Sequence, residues 1–248
     1  MSAFRQISKL GLASLATISL AAGGAAAAQA TSTQGPSSSI ASGAEAVTVD
    51  LVGINDFHGR ISADRSSAGA AVLAGAVDEL RAENENTLFV SAGDNIGAST
   101  FASASQDDEP TIAALGAGGL DVSAVGNHEF DKGFADLAGR VIDSYADSTG
   151  ENGADFALGA NVYEKGTKTP ALQEFAIREV SGVSVGFIGT VTEDMPSLVS
   201  PAGIADLDFG SELEAANRVA AQLSDGDEAN GEADVVVLLT HNGSAGDQ

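Results

Sequence analysis

Short apolar strands alternate with amphipathic helices along this chain, and that alternation is the strongest constraint on its fold. Val47–Ile54 and Thr87–Ser91 are β-rich, and apolar residues recur at three- and four-residue spacings between Ala71 and Arg81. The same reasoning predicts helices at 110–115, 134–145 and 212–223, and strands at 121–125, 156–162, 174–180, 183–188 and 234–239. Such an order is typical of an α/β fold whose sheet is covered by helices on both faces.

The N-terminus has the three-part layout of a secretory signal peptide. Arg5 and Lys9 precede the apolar stretch Leu10–Ala22, and Ala28-Gln29-Ala30 has the small-x-small pattern of a cleavage site. This apolar stretch is shorter than the roughly 20 residues that a membrane span needs, and no second stretch is long enough. We therefore expect residues 1–30 to direct export and the protein to be secreted, extracellular or in the cell envelope.

A flexible linker is predicted between the signal peptide and the folded domain. Residues 31–45 are rich in Ser, Thr, Gly and Ala, a composition that favours an unstructured chain. The domain itself is predicted to cover residues 46–248.

Charge and cysteine content exclude several functional classes. The chain has 35 Asp and Glu against 11 Lys and Arg, a formal charge of −24, and it has no cysteine. A broad electrostatic contact with nucleic acid needs a basic face, so no sequence-specific binding to nucleic acid is expected. Without cysteine there are no disulfides, no thiolate catalysis and no Cys-ligated zinc. Any contact with phosphate is therefore expected to be local and to involve a metal ion.

Four of the predicted strands end in residues that can bind a metal. In order, these are Asp56 with His58, Asp94, Asn127 with His128, and His241. In an α/β sheet, sites form in the loops beyond the carboxyl ends of strands, and all three histidines of the chain lie in these loops. Oxygen and imidazole ligands without thiolate suit Zn, Mn, Mg or Fe. An aspartate can also bridge two ions about 3.5–4 Å apart.

These loops resemble, in order, four motifs of the calcineurin-like metallophosphoesterases. The matching segments are Asp56-Phe57-His58, Gly93-Asp94, Gly126-Asn127-His128-Glu129 and Thr240-His241-Asn242-Gly243. The residue sequences of Ile54–Arg60 and Asn127–Asp131 are similar to those of the secreted 5′-nucleotidase branch of the family. The resemblance runs from about Val47 to Gly243. It implies a layered α/β sandwich with helices outside the sheets.

One further motif of the family is missing from these 248 residues. The family has a Gly-His-x-His segment after the strand-end histidine, and no histidine follows His241. The resemblance therefore implies an N-terminal fragment whose metallophosphoesterase domain is truncated at its C-terminal end. Such a fragment alone is expected to be inactive or weakly active.

The resemblance also implies a role for each site residue. Asp56 and His58 would bind the first metal, Asp94 would bridge two divalent ions, and Asn127 and His241 would bind the second. His128 would stabilise the transition state or protonate the leaving group, oriented by Asp131. An imidazole and a carboxylate three residues apart at a helix start can form such a pair, although Asp131 could equally cap the helix.

The expected activity is two-metal hydrolysis of nucleotide phosphate esters by a metal-bridging hydroxide, with His128 assisting the leaving group. A nucleotide or another small phosphoester would be the substrate. One alternative is 2′,3′-cyclic phosphodiesterase or 3′-nucleotidase activity, which shares every motif. Another is a non-catalytic acidic surface protein with a degenerate site.

Two other groups of polar residues have two interpretations each. Asp107-Asp108-Glu109 could bind calcium or form a solvated charge cluster before a helix. Asn95, directly after the predicted bridging Asp94, could donate to a bound phosphate or simply cap the turn.

Overall fold

The computed structural model describes residues 46–243 and the backbone of residues 14–20. The rest of the predicted signal peptide and the predicted linker 31–45 lie outside the described residues. The strands are β1 Ser14–Leu20, β2 Val47–Ile54, β3 Thr87–Ser91, β4 Val122–Ser123, β5 Val162–Glu164, β6 Phe175–Val180, β7 Val183–Val191, β8 Leu207–Phe209 and β9 Val235–His241. The α-helices are α1 Ala70–Glu83, α2 Phe101–Ala104, α3 Glu109–Ala117, α4 Phe134–Asp136, α5 Ile142–Thr149, α6 Met195–Leu198 and α7 Glu212–Gln222.

The described strands form three sheets. The first has the order β1-β2-β3-β4, with β2, β3 and β4 parallel and β1 antiparallel to β2. The second sheet has the order β6-β7-β9, in which β7 is antiparallel to β6 and parallel to β9. The third is the antiparallel pair β5-β8.

The two larger sheets pack face to face, and helices cover their outer faces. The core between the sheets includes Val49, Leu51, Leu88, Val90, Val183, Val185, Phe187 and Leu239. On the outer face of the first sheet, Val52 and Phe89 pack against Val77 of α1, Ile112 of α3 and Tyr145 of α5. On the outer face of the second, Ile188 packs against Ala215 and Val219 of α7. The result is a four-layer α/β/β/α sandwich, which confirms the predicted fold class.

Most predicted elements form where the sequence places them. β2 and β3 have the predicted bounds, and the predicted helix 134–145 is formed by α4, a π-helical turn at Leu137–Val141 and α5. The hairpin between β6 and β7 turns at Ser181 and Gly182, whose φ angles are 49° and 79°. Positive φ at both central residues matches the right-handed twist of the paired strands.

The predicted strand 156–162 is wrong. The chain forms a helical turn at Gly153–Phe156 instead, and pairing into β5 starts only at Val162. Between them, Leu158 makes a single isolated parallel bridge with Ala124. The segment is apolar because it is buried, with Phe156 and Leu158 both less than 2% exposed, and burial alone does not distinguish a strand from a packed turn.

β1 lies within the predicted signal peptide. Its backbone pairs antiparallel with the outer edge of β2, from Ser14 opposite Gly53 to Leu20 opposite Val47. The signal peptide stays a prediction. Among the helices of the described residues, none combines the length and the apolar character that crossing a membrane requires.

Candidate metal centre

The ends of four strands bring Asp56, His58, Asp94, His128 and His241 together. β2, β3 and β4 are parallel neighbours, so the loops that carry Asp56, Asp94 and Asn127 leave the same edge of the first sheet. His241 is the last residue of β9 in the second sheet, and its Nδ1 lies 2.9 Å from the carbonyl oxygen of Ala92. This contact joins the ends of the two sheets.

Asp94 lies at the centre of the cluster. Its side chain is nearly buried, and its Oδ2 lies 3.1 Å from Nε2 of His241 and 3.8 Å from Nε2 of His58. Its Oδ1 accepts a hydrogen bond of 2.8 Å from the backbone N–H of His128. Asp56 completes the group, with Oδ1 3.6 Å from Nε2 of His58.

Two sets of potential metal ligands share this carboxylate. The ligand atoms of His58, Asp94 and His128 lie within 4.8 Å of one another, and so do those of Asp56, Asp94 and His241. A carboxylate common to two sets is the arrangement that bridges two ions. The division differs from the predicted one, which groups Asp56 with His58 and leaves His128 out. How the ligands are divided between two ions therefore stays a prediction.

Backbone carbonyls fix the tautomers of two histidines. Nδ1 of His58 lies 2.9 Å from the carbonyl oxygen of Gly97, as Nδ1 of His241 does from that of Ala92. A carbonyl oxygen only accepts hydrogen bonds, so each Nδ1 carries the proton, and in the neutral ring Nε2 keeps a free lone pair. Both Nε2 atoms face Asp94, which is how histidine ligands are oriented in metal sites.

The electrostatics of the cluster favour a cation. Burial alone lowers the pKa of His241, but the hydrogen bond and the charge of Asp94 outweigh it and raise this pKa to about 9. For Asp94, burial raises the pKa, and the hydrogen bond and charge of His241 lower it below the ordinary value on balance. The metal-free site thus holds a proton on His241 that a divalent ion would replace, so the donor set fits such an ion.

Three of the predicted ligands have a strained backbone. The φ angles of Asp56, His58 and Asp94 are 52°, 47° and 54°, in the left-handed region that residues other than glycine rarely adopt. Strain of this kind costs on the order of 1–3 kcal/mol per residue and is concentrated at functional sites.

Asn127 lies in the loop after β4, directly before the helical turn His128–Phe130. It is half-buried, and its carbonyl oxygen accepts a hydrogen bond of 3.1 Å from the N–H of Phe130. Phe130 itself is buried and packs beneath the site.

His128 and Asp131 form the expected pair. Nδ1 of His128 lies 2.9 Å from Oδ2 of Asp131, and the same oxygen accepts the backbone N–H of Ala98 at 3.1 Å. Asp131 does not cap α4, which begins after Gly133. Burial lowers the pKa of His128, but the hydrogen bond that its ring donates to Asp131 and the charge of Asp94 raise this pKa above its ordinary value. A cavity of about 230 Å³ adjoins the pair.

Sequence reasoning missed the role of Glu129. Its buried carboxylate accepts four backbone hydrogen bonds, from Gly126 at 2.6 Å, Asn95 at 2.8 Å, Asp94 at 2.9 Å and Ile96 at 3.3 Å. One side chain therefore joins the loop after β3 to the loop after β4. Its place inside a matching motif was the only sequence signal, because three of the four donors lie more than thirty residues earlier in the chain.

The side chain of Asn95 is buried and hydrogen-bonds two serine side chains, which is neither of the two predicted roles. Asn95 is 1% exposed, donates to Ser123 Oγ at 2.8 Å and accepts from Ser91 Oγ at 2.7 Å. It therefore holds the ends of β3 and β4 together.

The acidic triplet before α3 is a set of partnered charges. Asp107 and Glu109 pair with Lys132 and Arg140, both at 2.7 Å. The buried Asp108 accepts a hydrogen bond of 2.7 Å from Ser103 Oγ. These partners favour the charge-cluster interpretation over calcium binding.

Residues 50–248 match the family model described as calcineurin-like phosphoesterase. The chain belongs to this family. The family description agrees with the resemblance seen in the four motifs.

Three curated relatives and one solved structure illustrate the similarity. Endonuclease YhcR of Bacillus subtilis is 36% identical over 72% of this chain and 16% of its own length. Cell wall protein Lmo0130 of Listeria monocytogenes is 35% identical over 80% of this chain and 28% of its own. A 5′-nucleotidase of Vibrio vulnificus is 31% identical over 76% of this chain and 32% of its own length. The crystal structure of calcineurin-like phosphoesterase YfkN from Bacillus subtilis superposes with a TM-score of 0.59 at 25% identity, covering 79% of this chain and 62% of that one. The chain spans less than a third of the length of these curated relatives.

Proposed function

We propose that the protein to which this chain belongs hydrolyses phosphate esters of nucleotides, in the manner of a 5′-nucleotidase, with two divalent metal ions. The single observation that carries the proposal is the buried carboxylate of Asp94, shared by two sets of potential ligands at the ends of four strands. The Vibrio vulnificus relative, a 5′-nucleotidase, supports the substrate class.

Asp56, His58, Asp94, Asn127 and His241 are the residues proposed to hold the metals. When bound, two divalent ions would supply Lewis-acid neutralisation of the phosphate oxygens and lower the pKa of the attacking water. The chain contributes the geometry. The carbonyls of Ala92 and Gly97 hold the two imidazoles with Nε2 inward, and Glu129 holds the loop that carries Asp94.

His128 is proposed to act on the leaving group. Its raised pKa favours the imidazolium, which can stabilise negative charge or give a proton to the departing alkoxide. Asp131 holds the ring through Nδ1, so Nε2 is the atom that would move the proton. The cavity beside this pair, lined also by Lys132 and Arg140, offers room for part of a substrate.

Phosphodiester hydrolysis is a second candidate activity. It is favoured by endonuclease YhcR, which has the highest identity of the three relatives described above. The charge of −24 opposes a broad contact with a polyanion, so a small cyclic or diester substrate fits this chain better than duplex DNA.

Export to the cell envelope is part of the proposal. The signal-peptide pattern of residues 1–30 supports it, and so does the similarity to a cell wall protein of Listeria monocytogenes.

Metal content and phosphate release together test the proposal. The full chain is purified with Mn²⁺ or Zn²⁺ and its bound metal is counted. Release of phosphate is measured from adenosine monophosphate, and formation of nucleoside monophosphate is measured from 2′,3′-cyclic nucleotides. We expect up to two metal equivalents and weak turnover on the chain alone, with monophosphates preferred. Preference for the cyclic substrates would favour the second candidate. A chain that binds no metal, or a full-length protein without hydrolytic activity, would favour the non-catalytic alternative.

A further inference from the structure

The carboxyl end of β9, which carries His241, is paired on one side only. Among the described strands β9 pairs with β7 alone, with His241 opposite Val191, and the carbonyl of His241 accepts the N–H of Thr192 at 2.9 Å. The end of a strand paired on one side opens more readily than a central strand does. Beyond the ladder, the carbonyl oxygen of Ala92 holds Nδ1 of His241 at 2.9 Å, and the question is what holds the backbone on either side of this ligand.

Glu212, in the first turn of α7, contacts both neighbours of His241. Its Oε2 accepts a hydrogen bond of 2.9 Å from the hydroxyl of Thr240, and its Oε1 accepts one of 2.7 Å from the side-chain amide of Asn242. Successive side chains of a strand point to opposite faces, so these partners lie on the face away from the imidazole. The carboxylate of Glu212 thus links the residues on either side of His241.

Helix α7 does not depend on this contact for its own position. Ala215 and Val219 bury its apolar face against the second sheet, and the hydroxyl of Ser211 caps its N-terminus by accepting the N–H of Glu214. Glu212 therefore projects from an anchored helix and adds a restraint on Thr240 and Asn242 to those that the backbone of Thr192 and the carbonyl of Ala92 place on His241.

We infer that Glu212 is a positioning residue for His241: by holding Thr240 and Asn242, it keeps Nε2 of His241 on Asp94 and so sets the affinity of the site for a divalent ion. This inference rests on the proposed role of His241 as a metal ligand. None of the four segments that resemble family motifs includes Glu212, which lies 28 and 30 residues before its two partners.

The test compares three single variants of the full chain. Glu212→Ala removes both contacts. Glu212→Gln keeps the shape and can still bond one or both partners, and Glu214→Ala is the matched control from an exposed position two residues along the same helix. Co²⁺ affinity is measured by titration of its absorption bands. We expect about a 10-fold loss of affinity for Glu212→Ala, the lower end of the effect of removing a partner that touches the ligand itself, because Glu212 touches only the neighbours of His241. The loss should be smaller for Glu212→Gln and absent for Glu214→Ala.

A second arm separates positioning from a general effect on stability. In a His241→Ala background, Glu212→Ala should cause no further loss of Co²⁺ affinity, because the ligand that it positions is gone. A further loss in that background, or an unchanged affinity in the single variant, would overturn the inference.

Hydrogen exchange keeps the inference testable without metal. In the metal-free chain, Glu212→Ala should speed exchange of the backbone amides of residues 239–242 while leaving those of α7 unchanged. Equal exchange at 239–242 would overturn it. Failure of the unmodified chain to bind Co²⁺ would instead contradict the proposed function, so the two failures are distinguishable.

Discussion

Single residues of the candidate metal centre have separable tasks, and Asp94 has the most. One of its oxygens faces two imidazoles, and the other accepts the backbone N–H of His128. Its backbone N–H donates to Glu129 at 2.9 Å, and its φ of 54° aims the carboxylate into the site. A substitution here therefore acts on both proposed ions at once.

Asp94→Asn is expected to lose both metals. The amide removes the negative charge shared by the two ligand sets and can turn an N–H toward the imidazoles. Elemental analysis of the purified full chain measures the effect, with Asp143→Asn, an exposed carboxylate on α5, as the control of equal charge change. Two metal equivalents retained by Asp94→Asn would refute the bridging role.

His128→Ala is expected to lower kcat by roughly 10²–10⁴-fold while both metals stay bound, because its proposed task is acid–base or charge-stabilising. Activity and metal content are measured on the same full-length preparation. His241→Ala is the contrasting variant and should reduce metal occupancy. Since His128 also belongs to one of the two ligand sets, a metal lost from His128→Ala would make it a ligand and the proposed division wrong.

At the scale of secondary-structure elements, the loops after β3 and β4 are in close van der Waals contact. The loop after β3 and the loop after β4 approach so closely that a Cβ added at Gly126 would lie 2.2 Å from Oδ1 of Asp94. Glu129 is the carboxylate that holds them at this distance. The geometry of the site is therefore a property of the pair of loops.

Gly126→Ala is expected to displace Asp94, destabilise the fold by about 1–3 kcal/mol as overpacking does, and weaken metal binding. Gly139→Ala is the control, since a Cβ there meets no atom within 4 Å. Chemical denaturation and Mn²⁺ titration of both variants provide the measurement. Equal unfolding free energies and equal Mn²⁺ affinities of the two variants would show that the loops can move apart without loss of stability.

Glu129→Gln is expected to destabilise the fold although it preserves the shape of the side chain. An amide group turns N–H donors toward some of the four backbone N–H groups, and each buried donor left without an acceptor costs about 1–3 kcal/mol. The free energy of unfolding reports the loss. An unchanged value would mean that water replaces the carboxylate, and the joining role of Glu129 would then be wrong.

At the scale of the whole molecule, the site lies where the two sheets of the sandwich end together. β2, β3 and β4 contribute three loops and β9 of the other sheet contributes the fourth. A bound ion would therefore link both halves of the core, and metal binding should be visible in global stability.

Divalent metal is expected to stabilise the full chain against heat. Binding to the folded state alone adds about 2.7 kcal/mol at a metal concentration of 100 times Kd. A domain of this size gains about 2–4 °C in Tm per kcal/mol. Thermal scans with Mn²⁺, and with Mn²⁺ plus a chelator, test this. Because the charge of −24 also attracts cations non-specifically, Asp94→Asn is the reference, and an equal rise of Tm in that variant would count against a specific site.

How much the sequence predicts differs between elements for physical reasons. β2 and β3 were predicted with their bounds because their apolar, β-branched runs end sharply at polar loops. The turn at Gly153–Phe156 was predicted as a strand because buried turns are as apolar as buried strands. The pair β5-β8 was not anticipated as a separate sheet, since its three-residue strands are too short for a periodic signal.

The α/β class, the order of the four loops and the residue types available as ligands can be read from the sequence, because they depend on local periodicity and on residues adjacent in the chain. Three contacts become visible only in the folded chain: His241 reaches Asp94 from the other sheet, and the carboxylates of Glu129 and Glu212 hold segments from distant parts of the chain. Hydrogen bonds between segments about thirty or more residues apart depend on how the layers pack, and no local pattern encodes that packing.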